Sequence, residues 1–191
     1  MEITPQDALI VVDVQNDFCP GGALAVRDGG AVIPIIHRIA PRFHHILLTQ
    51  DWHPPGHCSF ASAGGRWPDH CVQGTRGADF HPALQLTRAE LILRKGFRQN
   101  LDSYSAFFEN DHTTPTGLAS YCRERVFRRV FLAGLAYDFC VGFSAVDARR
   151  VGFDAMVIRD ACRAIDVNGS ALEMEAEFTR HGVVLMESGA V

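Results

Sequence analysis

Short, almost purely apolar runs alternate with stretches of helical period along this chain. Ala8-Leu9-Ile10-Val11-Val12-Asp13-Val14 is the first run, and His45-Ile46-Leu47-Leu48-Thr49-Gln50 the second. Leu91-Ile92-Leu93, Val130-Phe131-Leu132, Ala155-Met156-Val157-Ile158 and Val183-Val184-Leu185-Met186 follow. Each reads as a strand. The intervening patterns predict helices over about 31–42, 116–126, 141–151 and 168–181. Strands that are apolar throughout, not alternating, are buried on both faces, and helices between them imply parallel neighbours. The expected architecture is α/β: a three-layer, mostly parallel β-sheet with helices on both faces. No repeat, low-complexity tract or long linker divides the chain, so residues 1–191 are expected to form a single domain.

In parallel sheets, ligands bind beyond the carboxyl ends of the strands. Asp13 closes the first strand, Asp51 follows the second, Lys95 the third and Cys140 the fourth, so all four fall along one edge. Cys140 sits in G-L-A-Y-D-F-C-V-G-F, where a strand gives way to an amphipathic helix from Val141 to Val151. Backbone N–H groups and a helix dipole at such a junction favour thiolate over thiol. A buried cysteine acting as a small hydrophobe is the plain alternative. A cysteine nucleophile needs a base and a stabilising charge, and Asp13 and Lys95 are of the right types. Taken singly, Asp13 also reads as a turn or cap residue and Lys95 as a solvated surface lysine. Strand alternation points Arg94 and Lys95 in opposite directions.

Composition narrows the class. The 191 residues are 47% hydrophobic, enough for a sizeable core. A formal charge of -4, without a basic run, argues against a nucleic-acid partner. No apolar run approaches the ~18 residues that span a bilayer, and the N-terminal M-E-I-T-P-Q-D lacks a basic region followed by an apolar core. The six cysteines are scattered without a C-x-x-C, which suggests a reducing, cytoplasmic setting.

The long, His/Pro/Gly-rich stretch from 52 to 81 carries a second constellation. Asp51 and His53 are two apart and share a side of an extended chain. His57 and His70 can approach from the loop. One carboxylate with two or three imidazoles suits one divalent metal ion (Zn, Mn or Fe) with open coordination positions. A solvated loop is the bland alternative. A pairing of Cys58 with Cys71, as a disulfide or a thiolate metal site, is the rival. His37, His44, His45, His81, His112 and His181 read as helix or surface residues.

V-D-V-Q-N-D-F-C-P-G-G-A-L (12–24), D-W-H-P-P-G-H-C-S-F (51–60) and W-P-D-H-C-V-Q-G-T-R-G-A-D-F-H (67–81) closely resemble the nicotinamidases, a branch of the isochorismatase-like hydrolases. K-G-F (95–97), D-S-Y-S-A-F (102–107) and G-L-A-Y-D-F-C-V (134–141) do so too, in the same order from about residue 8 to 187. The resemblance implies the isochorismatase-like fold and hydrolysis of nicotinamide to nicotinate and ammonia through a cysteine thioester, in NAD salvage. It places the catalytic Asp, Lys and Cys at Asp13, Lys95 and Cys140. It places metal ligands at Asp51, His53 and His70, with His57 a ligand in some members only. It implies a cis Leu135–Ala136 peptide, an oxyanion hole from the Ala136 and Cys140 N–H groups, and a ring pocket lined by Phe18, Trp67 and Tyr104. Those aromatics also read as ordinary core. Tyr137 stands where many members have Thr, which bears on fine substrate preference. The implied partner is a small molecule; assembly into a homo-oligomer is left open.

Two other readings stay in view. A related cysteine amidohydrolase acting on a ureido or carbamoyl compound would share the fold but generally lack the metal, and an isochorismatase proper would lack the cysteine. A non-catalytic metal-binding or scaffold protein would not need Asp13, Lys95 and Cys140 together.

Overall fold

The computed structural model describes residues 1–191. Six strands, β1 (Asp7–Val12), β2 (His45–Asp51), β3 (Leu91–Lys95), β4 (Arg129–Leu135), β5 (Asp154–Arg163) and β6 (Val184–Met186), form one sheet in the order β3-β2-β1-β4-β5-β6. Every neighbouring pair is parallel. The chain winds outward from β1 to β3, returns beside β1 as β4, and winds outward again to β6. The reversal leaves a crevice beyond the carboxyl ends of β1 and β4, the usual place for a ligand in such sheets.

Four helices cover the sheet: α1 (Val32–Ile39), α2 (Leu118–Glu124), α3 (Gly142–Arg150) and α4 (Ser170–His181). Because successive strand residues point to opposite faces, β1 and β4 feed two cores. Ala8, Ile10, Val12, Val130 and Leu132 pack with Leu118, Ala145 and Phe178 of α2, α3 and α4. Leu9, Val11, Phe131 and Ala133 pack with Val32, Ile36 and Ile39 of α1, and with Phe43. This two-faced burial explains the near absence of polar residues in the central strands. β3, at the edge, alternates instead: Ile92 and Arg94 are exposed, Leu91 and Leu93 half-buried, and Lys95 fully buried.

The elements differ from the sequence expectation in three places. β1 stops at Val12, and Asp13 lies beyond it with φ 47°, a left-handed conformation that turns its side chain out of the ladder. β5 runs on to Arg163, five residues past Ile158, through an irregularity in its pairing with β4. The helix expected from Val141 is preceded by a single π-helical turn, Tyr137–Val141, buried along its whole length. α3 itself is not amphipathic. Gly142, Ser144, Ala145, Val146, Asp147 and Ala148 are all buried, because the helix is enclosed between the sheet and α4.

One glycine is dictated by the β1–β4 contact. Gly134 has φ +121°, and a Cβ there would lie 2.1 Å from the Val12 carbonyl oxygen.

Candidate active site

Asp13, Asp51, Lys95 and Cys140 converge at the crevice because β1, β2, β3 and β4 end side by side. Asp51 and Lys95 are register partners at the last positions of β2 and β3. Lys95 Nζ lies 2.9 Å from Asp13 Oδ2 and donates to Asp51 Oδ1 at 2.5 Å, to the Ser103 carbonyl at 2.9 Å and to Cys140 Sγ at 3.4 Å. It is 0% exposed, so the surface reading of this lysine does not hold. Burial would strip Lys95 of its proton, but the Asp13 and Asp51 carboxylates outweigh that and hold its pKa well above the ordinary lysine value. Burial likewise pushes Asp51 up, and Lys95 and His53 together hold it well below the usual carboxylate range.

Thr49 Oγ1 donates to Asp13 Oδ1 at 2.6 Å and fixes that oxygen. Oδ2 has the ionic contact with Lys95 but no hydrogen bond of suitable geometry, and ligating atoms of Asp13, Asp51 and Cys140 lie within 4.8 Å of one another. Burial raises the Asp13 pKa, with Lys95 pulling it the other way. The Cys140 thiol is buried. Burial pushes its pKa well above the ordinary thiol value; Lys95 opposes this and Asp13 adds to it.

The peptide Leu135–Ala136 is cis, and the Ala136 N–H has no acceptor within the protein. Asp138 anchors the π-helical turn that carries Cys140. Its carboxylate accepts from the Ile165 N–H at 3.0 Å, the Asp166 N–H at 2.7 Å and the Ser170 hydroxyl at 2.5 Å. Tyr137 packs edge-on against Phe178 and donates to Glu175 at 3.2 Å, so its bulk lies against α4.

Ligating atoms of Asp51, His53 and His70 lie within 4.8 Å of one another, and all three residues are buried. His53 Nδ1 faces the Gly96 carbonyl at 2.8 Å, and His70 Nδ1 faces the Pro68 carbonyl at 2.7 Å. Each such contact fixes the tautomer that leaves Nε2 with a lone pair, as metal-ligating imidazoles require. The donor set therefore fits a divalent cation. Gly96 is required here: its φ is +65°, and a Cβ would lie 2.5 Å from His53 Cε1. His57 is placed differently. It stacks on His53 with ring centroids 4.2 Å apart, its nitrogens face Ser59 Oγ at 2.7 Å and the Leu101 carbonyl at 3.3 Å, and it groups with His53 and Asp102. All six cysteines are free, Cys58 and Cys71 among them.

A pocket opens over Cys140 and the Asp51–His53–His70 group. Phe18, Trp67 and Tyr104 line it, and so do Leu24, Asp102, Ala136, Phe139 and Ile165. Trp67 Nε1 donates to the Tyr104 hydroxyl at 3.0 Å, and Phe139 stands edge-on to both rings. Gln15 was not anticipated either. Its side-chain N–H groups donate to the Asp51 and Ala78 carbonyls at 2.8 Å, and its Oε1 accepts the Asp51 N–H at 2.8 Å. It splices the backbone of Asp51 to the 52–81 loop. Phe139 could have been found from its place directly before the cysteine; Gln15 and Thr49 carry no local signal.

Residues 7–188 match the isochorismatase domain. The chain is 49% identical to a nicotinamidase of Acinetobacter baylyi, over 95% of this chain and 92% of that one. The structure of PnC1 from L. infantum in complex with nicotinate superposes with a TM-score of 0.95 at 43% identity, covering 100% of this chain and 97% of the other. The pyrazinamidase of Pyrococcus horikoshii in complex with zinc gives 0.85 at 36% identity, covering 96% and 99%. The chain belongs to the isochorismatase-domain family.

Proposed function

We propose that this chain is an amidohydrolase that converts nicotinamide to nicotinate and ammonia, as one domain spanning residues 1–191. The observation that carries the reading is the buried contact of Lys95 with Asp13 and with Cys140, which itself lines an aromatic pocket. Nicotinate in the complexed relative and zinc in another support it.

The chemistry follows from the side chains. Asp13 Oδ2 takes the Sγ proton while Sγ bonds to the carboxamide carbon and the carbonyl electron pair moves to oxygen. A carboxylate whose pKa burial has raised is a stronger base than a solvated one. The Ala136 N–H, with that of Cys140, stabilises the oxyanion. Its collapse breaks the C–N bond, Asp13 returns the proton to nitrogen, and ammonia leaves a thioester. Water then gives a proton to Asp13 and its hydroxyl to the acyl carbon. The second collapse expels sulfur, which takes the proton back. Lys95 holds the Asp13 carboxylate throughout and compensates the charge of its anionic states. Thr49 fixes the other oxygen.

Asp51, His53 and His70 would hold one divalent metal, with zinc the ion found in the Pyrococcus relative. When bound, it supplies a Lewis acid for the pyridine nitrogen or a water molecule. Six unpaired cysteines support a reducing, cytoplasmic place of action. No helix is long and apolar enough to cross a membrane.

Ammonia release from nicotinamide, with metal content measured on the same sample, tests the activity. Cys140→Ala should abolish it while leaving the circular-dichroism spectrum and thermal midpoint near the parent's. Substantial hydrolysis by the clean variant would refute the nucleophile assignment.

A further inference from the structure

The catalytic pocket shares two walls, Tyr104 and Phe139, with a larger outer groove that runs along α4. Arg66 stands at that boundary. Its guanidinium carbon is 4.7 Å from the centroid of Trp67 and 5.4 Å from that of Phe139, and both rings line the catalytic pocket. Arg66 is exposed and takes part in no ion pair or hydrogen bond.

The other charges nearby are committed or negative. In the groove, Arg180 is paired with Glu177, while Glu173 has no cationic partner. The Asp138 carboxylate is occupied by the Ile165 and Asp166 N–H groups and the Ser170 hydroxyl. Inside the pocket, Asp51 and Asp102 are acidic, and Lys95 is held by Asp13 and Asp51. Arg66 is thus the uncommitted cation of the groove, beside two rings of the pocket.

The reaction proposed above turns a neutral amide into a carboxylate, so substrate and product differ in charge. We infer that Arg66 is a selectivity residue for this pocket, holding the anionic product, nicotinate, beside those rings while leaving neutral nicotinamide nearly unaffected. The inference rests on the proposed hydrolysis. The guanidinium lies within cation–π range of Trp67 and Phe139, which holds its charge beside two rings of the pocket. Arginine suits this because its plane both stacks and forks toward a carboxylate.

Initial rates of ammonia release from nicotinamide, with added nicotinate, test it on metal-loaded enzyme. Arg66→Met keeps an apolar stem against the rings and removes the charge. It should raise the ratio of the nicotinate inhibition constant to the nicotinamide KM on the order of threefold at low salt, the scale of one exposed ion pair. The difference should vanish near ~1 M salt, where the screening length is about 3 Å. Arg66→Lys should keep most of the parent's ratio. An active parent with an unchanged ratio in Arg66→Met, or with a change that salt does not remove, overturns the role of Arg66 alone. A parent that releases no ammonia from nicotinamide overturns the hydrolysis and this inference with it.

Discussion

Replacing Lys95 by Met keeps the length of the side chain and removes the cation between two buried carboxylates. Lys95 Nζ contacts Asp13 at 2.9 Å and Asp51 at 2.5 Å, with all three groups shielded from solvent. Removing one partner of a buried ion pair costs about 3–5 kcal/mol, because the remaining charge is left without compensation. For a chain of this size each kcal/mol lowers the melting midpoint by about 2–4 °C, so Lys95→Met should melt about 6–20 °C below the parent. The loss should depend on pH. Without the lysine, Asp13 ionises less readily in the folded state, and its folded pKa rises further above the unfolded value. Such a group contributes stability below the unfolded pKa, lost as pH rises through the folded one. The deficit is therefore smaller near pH 5 than near pH 8. Asp13→Asn in the same chain removes one of the stranded charges and should restore a large part of the midpoint, yet no activity. Thermal melts of the metal-free proteins at both pH values, with ammonia release on the loaded ones, measure both effects. A single variant as stable as the parent, or a double variant no more stable than the single one at pH 8, would refute the reasoning.

Three further outcomes are expected. Thr49→Val, nearly isosteric, removes the 2.6 Å hydrogen bond to Asp13 Oδ1, and should cut kcat/KM by about 10–100-fold, from the ~1.5–3 kcal/mol of a hydrogen bond to a charged group; steady-state kinetics at saturating metal check it. His70→Ala should lower metal content by mass spectrometry and reduce nicotinamide turnover, while the melting transition of the metal-free form changes little. Burial raises the Asp7 carboxyl, but hydrogen bonds from Arg129 and Thr4 outweigh that and hold it below the ordinary carboxylate pKa. A depressed folded pKa stabilises above the unfolded value and is lost as pH falls through the folded one, so Asp7→Asn should cost stability at pH 7 and progressively less below pH 4 in denaturant melts.

The alternation of strands and helices was legible because burial on both sheet faces demands continuous apolar runs. Parallel pairing then brings the ends of β1 to β4 to one edge, which is why Asp13, Asp51, Lys95 and Cys140 could be placed together before any coordinates. The edge strand was harder, since only Lys95 of its polar residues turns inward. What could not be read were contacts made across the chain. Thr49 reaches Asp13 and Gln15 reaches Asp51, each 36 residues away, and no local pattern marks such partners. The burial of Cys140 is another feature set across the chain. Backbone dipoles at a strand–helix junction are a local feature, whereas desolvation depends on how α4 and the 164–170 loop close over the turn.

Asp51 shows why two constellations that look separate in sequence form one site. Its Oδ1 accepts from Lys95, while its Oδ2 lies 3.7 Å from His53 Nε2. The same carboxylate therefore belongs to the proton-handling group and to the candidate metal group. A carboxylate on a loop could not hold both orientations, since each requires a fixed Cα. The β2–β3 register supplies that fixity on one side, pairing Asp51 with Lys95, and Gln15 clamps both backbone groups of Asp51 on the other. Lys95 is in turn shared between Asp51 and Asp13. Removal of charge at either end must be felt by the lysine and passed to the other carboxylate. The site is thus built as a chain of alternating charges across three neighbouring strand ends, with Cys140 brought against its middle by the turn that follows β4.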